Sequence, residues 1–370
     1  MKTYTCVCGQ LIFFQNAACV NCSRQIGFLP DLLWLTSLDP ADDGFWRPTA
    51  KEAGGALYKK CTNYAESGVC NWMVPQEAEE AFCESCRLNE IIPDLSSQEN
   101  RDRWALTEGA KRRLVYSLLR LRLPIASKQD DPERGLAFRF LSDAVNPDGT
   151  SSKVMTGHEN GIITLNIAEA DDAAREKIRH AMNEPYRTLL GHFRHEIGHY
   201  YWDRLVRDTK FLEPFRALFG DDRADYAAAL QQYYKSGAPA NWQEHHISAY
   251  ATSHPWEDWA ETWAHFLHIQ DTLEVANDFG LAGKQILLDA QEKTGKPKLS
   301  SKQTTFDEVI GAWSELAVAL NSMNRSMGLP DLYPFVLSPA VVAKLLFIYE
   351  VIIASGVPAR RARVPHPVSA

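Results

Sequence analysis

His195-Glu196-Ile197-Gly198-His199 sits inside residues 185–206, a stretch whose Asn183 and Pro185 suit a helix start. On an α-helix, residues four apart share a face one turn apart, so both imidazoles can meet a single zinc ion. Glu196, next to the first histidine, can reach water held by that ion and serve as its base. Two ligands and a base leave a third ligand to be found. A histidine-only arrangement needs Gly at 202 and His at 205, but Trp202 and Leu205 stand there, so it is excluded. A carboxylate ligand requires a second helix downstream. Ser253-His-Pro-Trp-Glu257-Asp-Trp-Ala-Glu261-Thr-Trp provides one: Ser253 can cap, Pro255 suits the first turn, and Glu257 and Glu261 share a face.

Working outward, the chemistry of the first quarter is set by cysteine. All eight cysteines lie there: Cys6, Cys8, Cys19, Cys22, Cys61, Cys70, Cys83 and Cys86. In a reducing compartment such clusters are metal ligands before they are disulfides, and a CxxC knuckle supplies two thiolates to a tetrahedral zinc site. Two quartets are expected, Cys6, Cys8, Cys19 and Cys22 around a β-like run over 11–14, and Cys61, Cys70, Cys83 and Cys86. An interleaved pairing would use the same eight residues. A region this small buries little apolar surface, so metal binding is expected to supply much of its folding free energy. Closed four-thiolate sites offer no open position, so they are read as structural.

Residues 88–97, with Pro93 and two serines, mark a boundary. A helix is predicted over 97–122, stopped by Pro124. Strands follow at 136–141 and 154–167, the latter folded at Asn160-Gly161, a strong hairpin signal. From Asp171 to about Gly356 the pattern is helical, broken near Gly220, Gly237 to Pro239, Gly280 and Gly295 to Pro297. Ala340 to Gly356 is the most apolar late segment, but it is short for a bilayer span and carries Lys344 and Glu350, so it reads as a packed helix.

The 370 residues are 45% hydrophobic, 11% aromatic and 23% charged, as in soluble globular proteins. With 39 Lys and Arg against 47 Asp and Glu the net charge is −8, which argues against nonspecific affinity for nucleic acid or anionic membranes. The opening MKTYTCVCGQ carries no apolar stretch before a cleavage site, so a cytoplasmic location is expected. No phosphate-binding glycine loop and no GxSxG occurs, which removes motif support for nucleotide chemistry and serine hydrolysis.

The helix 253–263 resembles the ligand helix of the gluzincins, particularly the branch containing anthrax lethal factor, where it reads E-aromatic-aromatic-A-E. The resemblance implies that Glu257 is the third zinc ligand and that Glu261 orients a ligand histidine, His195. Tyr250, seven residues before Glu257, then corresponds to a tyrosine that donates to the developing oxyanion. Residues 162–167 correspond to the edge strand that aligns a peptide substrate. Over the whole chain, CxCG with residues 11–14, Cys61-Thr-Asn-Tyr, Cys70-Asn-Trp, Cys83-Glu-Ser-Cys-Arg-Leu-Asn, 194–201 and 255–265 are similar to a bacterial family of zinc-binding metallopeptidases with an N-terminal zinc ribbon. In thermolysin-like enzymes an asparagine precedes the ligand glutamate; Trp256 replaces it, which leaves the partner of His199 open, with Asp203 a candidate.

The expectation is an α+β protein. A small zinc-ribbon module over residues 1–95 has two four-cysteine sites. A mainly α-helical gluzincin-like metallopeptidase domain with a small β-sheet follows over 96–357, then a flexible tail over 358–370. It would carry one catalytic and two structural Zn2+, take a peptide or protein substrate, and use the ribbons to dock a protein partner. Membrane association is not expected, and nucleic acid is disfavoured. Two other readings use the same residues: a binding or regulatory protein with a silent catalytic domain, and hydrolysis of another amide. Of the remaining histidines, His192, His158, His254, His265 and His268 are read as packing or solvent residues, and His245-His246 as a pair lining the cleft.

Overall fold

The computed structural model describes residues 2–145, 151–152, 154–171, 175, 188–281 and 306–355. Residues 3–88 form the first layer. A short hairpin, β1 (Tyr4–Thr5) and β2 (Leu11–Ile12), precedes an antiparallel meander of five strands: β3 (Gln25–Leu29), β4 (Trp34–Pro40), β5 (Trp46–Pro48), β6 (Tyr58–Lys60) and β7 (Met73–Pro75). A one-turn helix α1 (Thr62–Ala65) follows β6. The β-like run expected at 11–14 shortens to Leu11–Ile12 because Phe13 turns, its N–H bonded to Asn16 Oδ1.

This meander has an apolar core of its own that sequence reading missed. Ile26, Phe28, Leu35, Trp72 and Met73 are fully buried. It does not end at the ribbon. Phe14 and Phe28 meet the ring of Tyr116 at 5.3 and 5.8 Å, edge-on, a geometry that adds to the burial itself. Tyr116 belongs to α2 (Gln98–Arg120), capped by Ser97, whose hydroxyl accepts from Asn100 N–H. An apolar core therefore stands beside the cysteine clusters in this region.

A four-stranded sheet of order β12-β13-β9-β8 forms the next layer. It comprises β8 (Asn89–Ile91), β9 (Ala137–Leu141), β12 (Gly157–Glu159) and β13 (Ile162–Asn166), while β10 (Ala144–Val145) and β11 (Ser151–Ser152) form a separate hairpin. Strand β8, from the stretch read as a boundary, pairs in parallel with β9. Asn160 and Gly161 both take positive φ, 50° and 82°, and close the expected hairpin between β12 and β13. The sheet order corrects one expectation. Residues 162–166 are an inner strand, flanked by β9 and β12; among the described residues the outer strands of this sheet are Gly157–Glu159, next to it, and Asn89–Ile91 at the far side.

The remainder is helical: α3 (Leu189–Leu205), α4 (Leu212–Phe219), α5 (Tyr226–Ser236), α6 (Pro255–Asp278), α7 (Phe306–Ser326) and α8 (Pro339–Ser355). The breaks at Gly220, Gly237 and Gly280 fall where predicted; Asn183, Pro185, Gly295 to Pro297 and the tail lie outside the described residues. Helix α8 packs as a core helix. Its buried Lys344 donates to Asp258 at 2.5 Å. No helix among the described residues is long and apolar enough to cross a membrane. The architecture is α+β, a strand-rich N-terminal region followed by a mainly helical part with a small sheet.

Candidate metal centre and active site

The site is built where α3 crosses α6. Thr188 starts α3, its hydroxyl accepting from Gly191 N–H at 2.9 Å. The start of α6 departs from expectation: His254, not Ser253, is the cap, its Nδ1 accepting from Trp256 N–H at 3.1 Å, with Pro255 in the first turn. An imidazole acceptor does the work usually assigned to a hydroxyl or carboxylate.

The helices cross in close contact at Gly198. A β-carbon there would lie 3.0 Å from Ala260 Cα and 3.2 Å from Trp263 Cβ. Trp259 Nε1 donates to the Gly198 carbonyl at 2.8 Å, and Tyr201 stacks on Trp263 at 5.0 Å. This close approach brings the two motifs together. His195 Nε2 and His199 Nε2 are 3.2 Å apart, and Glu257 Oε2 lies 3.0 and 3.6 Å from them. Ligands about 2.0–2.1 Å from a tetrahedral zinc stand about 3.3–3.4 Å from one another. The triangle therefore fits zinc. Glu257 Oε2 is buried and accepts no hydrogen bond among the described residues, as suits an oxygen reserved for a cation.

The surroundings prepare these atoms. Glu261 Oε1 lies 2.6 Å from His195 Nδ1, which places the proton there and leaves Nε2 with its lone pair toward His199 and Glu257. Ser248 in turn donates to Glu261 Oε2 at 2.6 Å. Burial pushes the Glu261 carboxyl up, but His195 outweighs it and holds it at about 2. Glu257 is likewise raised by burial and brought well below the usual carboxylate range by His199 and His195. Neither Ser248 nor Tyr226, whose hydroxyl donates to Glu257 Oε1 at 2.6 Å, was found by sequence reading. Tyr226 is 31 residues before its partner, and no spacing rule joins them.

His199 is held differently. Its ring lies 3.9 Å from that of Trp256, and its Nδ1 has no hydrogen-bond partner among the described residues. Asp203 does not fill that role; it pairs with Arg207 at 2.6 Å. Glu196 is half-buried on the same turn as His195, and its charge reaches the Tyr226 hydroxyl. The Tyr250 ring lies 6.0 Å from His195. Burial, then the Glu257 carboxylate, pushes its phenol far above the ordinary value, so it stays a proton donor at any working pH.

Most other histidines are accounted for. His254 caps α6, His265 Nδ1 meets Tyr333 Oη at 2.8 Å, His268 lies beside Arg194, and His192 pairs with Glu169. His158, on the outer strand β12, comes nearer than expected, its ring 6.3 Å from that of His199. His246 faces Asp258 at 3.8 Å beside Lys344, and His245 offers its carbonyl to Lys344.

The cysteines fall into two clusters in sequence order rather than interleaved: Cys6, Cys8, Cys19 and Cys22, and Cys61, Cys70, Cys83 and Cys86. All are free. Sulfur separations of 3.6 Å (Cys6–Cys22), 3.7 Å (Cys8–Cys19) and 3.8 Å (Cys70–Cys83) far exceed a disulfide bond and match the roughly 3.8 Å edge of a tetrahedron with zinc–sulfur bonds of about 2.3 Å. Backbone N–H groups of Trp72 and Cys83 donate to Cys70 and Cys61 sulfur at 3.3 and 3.4 Å, stabilising thiolate. At the exposed Cys8, hydrogen bonding from the Gln10 N–H and Asn21 holds the thiol down at about 6.

Two family profiles match the chain. One, described as "Putative zinc-binding metallo-peptidase", covers residues 100–351, and a zinc-ribbon domain covers residues 3–97. The chain belongs to this zinc-binding metallopeptidase family. Uncharacterized proteins of Mycobacterium tuberculosis and Mycobacterium bovis are 43% identical to it over 355 residues, 95% of either chain. No solved structure gives a significant match.

Proposed function

We propose that this chain is a zinc-dependent peptidase in which His195, His199 and Glu257 hold the catalytic ion. The observation that carries the reading is the Nε2–Nε2–Oε2 triangle, 3.0–3.6 Å on its edges, with Glu196 beside it on the same helix. Zinc bound there supplies Lewis acidity, which lowers the pKa of water and polarises a carbonyl. Glu196 takes the proton of the attacking water and delivers it to the departing amine nitrogen. Tyr250, kept protonated by its buried, acidic surroundings, donates to the oxygen on which negative charge develops. Glu261 fixes the His195 ring and is itself fixed by Ser248. The two cysteine quartets each hold a structural zinc, with no position left open for substrate.

The outer strand Gly157–Glu159 runs beside α3, so an extended peptide could add to the sheet there and pass the metal site. That favours peptide over compact amide substrates. The decisive experiment measures zinc content and cleavage of a diverse peptide library by the wild type and Glu196→Gln. Three zinc equivalents in both, with chelator-sensitive cleavage confined to the wild type, are expected. Full cleavage by the variant, or none by the metal-loaded wild type, overturns the proposal.

A further inference from the structure

The two oxygens of Glu257 are treated differently. Oε2 faces the imidazoles at 3.0 and 3.6 Å, while Oε1 accepts the Tyr226 hydroxyl at 2.6 Å. We infer that Tyr226 is a positioning residue that occupies Oε1 of Glu257, so that this carboxylate would give the metal one oxygen rather than two and keep the site at four donors, the fourth being water. The inference rests on the proposed metal site. A carboxylate whose second oxygen is unrestrained can turn both toward a cation, and a catalytic zinc depends on keeping one coordination position for its water.

The placement of Tyr226 is built rather than incidental. It is the first residue of α5, a surface helix with no buried side chain, between Gly220 and Gly237, both at positive φ. Such a helix has little core packing to fix it, so its position over the site comes from a few contacts. The Asp225 side chain caps it, accepting from Ala228 N–H at 3.0 Å. Two residues before Tyr226, the Ala224 carbonyl meets His254 Nε2 at 3.1 Å. His254 Nδ1 already accepts from Trp256 N–H, so Nε2 carries the proton and donates to Ala224. One imidazole therefore pins the start of α5 to the start of α6, three residues before Glu257. The Tyr226 ring then packs against His254 at 5.2 Å and Trp256 at 5.8 Å, which aims its hydroxyl at the carboxylate.

Tyr226→Phe removes the hydroxyl and keeps both ring contacts, so the fold is retained. The probe is Co2+ placed at the histidine–glutamate site of chains whose cysteine sites keep zinc. Its visible absorption weakens when a tetrahedral set of four donors gains a fifth. The expected result is that Tyr226→Phe binds Co2+ but with absorption lowered about two-fold or more. In the zinc form, kcat falls about 10-fold, the worth of one hydrogen bond to a charged group, while KM stays within two-fold. Unchanged absorption overturns the inference whatever kcat does, because a hydroxyl acting on substrate or on folding alone leaves the coordination number as it was. A wild type that takes up no Co2+ at this site instead overturns the metal-site reading, an outcome visible before the variant is compared.

Discussion

Gly198→Ala tests the crossing on which the site depends. The added β-carbon would lie 3.0 Å from Ala260 Cα, 3.2 Å from Trp263 Cβ and 3.3 Å from the Ala260 carbonyl oxygen. None of these atoms can rotate away, because two are backbone and the third is the first carbon of a fully buried tryptophan. Relief therefore requires α3 and α6 to separate by some tenths of an ångström. Alanine gains about 1 kcal/mol over glycine as a helix former. Against this stand about 1–3 kcal/mol for overpacking and about 1 kcal/mol if the Trp259 bond to the Gly198 carbonyl is lost. A net loss of about 1–3 kcal/mol corresponds to a fall in Tm of roughly 1–4 °C in a chain of this size. The same separation widens the distance from Glu257 to His199, already 3.6 Å, so zinc affinity falls by about 10-fold. Calorimetry of the zinc-loaded and chelated forms measures the first effect, and zinc competition against a chelator the second. A variant as stable as the wild type, with undiminished zinc affinity, would refute the reasoning.

Glu261→Gln keeps the shape but weakens the hold on His195 Nδ1, so zinc affinity at this site should fall about 10- to 100-fold while the cysteine sites stay filled. Unchanged competition with a chelator would show that Glu261 does not orient the ligand. Asp271 is buried among Arg194 (2.6 Å), Arg120 (3.1 Å) and the Ser117 hydroxyl (2.7 Å). Asp271→Ala leaves two buried guanidinium groups without that partner and should cost about 3–5 kcal/mol in denaturant unfolding; a loss below about 1 kcal/mol would mean the network relaxes. Burial pushes His265 down to about 4, below its unfolded value near 6.5. The unfolded chain then binds the extra proton between those values, so stability is complete above about pH 6.5 and falls on acidification toward pH 4, by up to about 1.4 kcal/mol per pH unit from this group. His265→Asn should flatten the fall of Tm with pH over that window, and an unaltered slope would count against a buried neutral imidazole.

Local chemistry was legible in the sequence where one short segment carries it. HExxH places two imidazoles on one helical face whatever surrounds it, CxxC brings two sulfurs together, and Asn160-Gly161 turns a hairpin on its own. Features set by distant pairing were not legible. The inner position of residues 162–166 depends on parallel pairing with 137–141, and nothing in either strand announces that neighbour. The meander over 25–75 went unread because its strands are short and largely buried, without the alternation that marks a half-exposed strand. Tyr226 and Ser248 reach the site from loops and helix ends, so their partners are fixed by tertiary packing alone.

The same packing ties the ribbon to the metal site. Phe14 and Phe28 from the ribbon hold the Tyr116 ring, and the Tyr116 hydroxyl donates to Glu274 of α6 at 2.8 Å. One turn earlier on that helix, Asp271 binds Arg120 of α2 and Arg194 of α3, the residue preceding His195. On the ribbon's side, Arg112 of α2 donates to the carbonyl of Val69, next to Cys70. Helix α2 is thus clamped on one face by the cysteine-bearing layer and on the other by both helices that supply the histidines and the carboxylate. A ribbon that loosened would release Tyr116 and, through Glu274 and Asp271, the relative setting of α3 and α6. That coupling needs no direct contact between the ribbon and His195, His199 or Glu257: under the proposed function, the cysteine sites would act by holding the scaffold to which those three side chains are fixed.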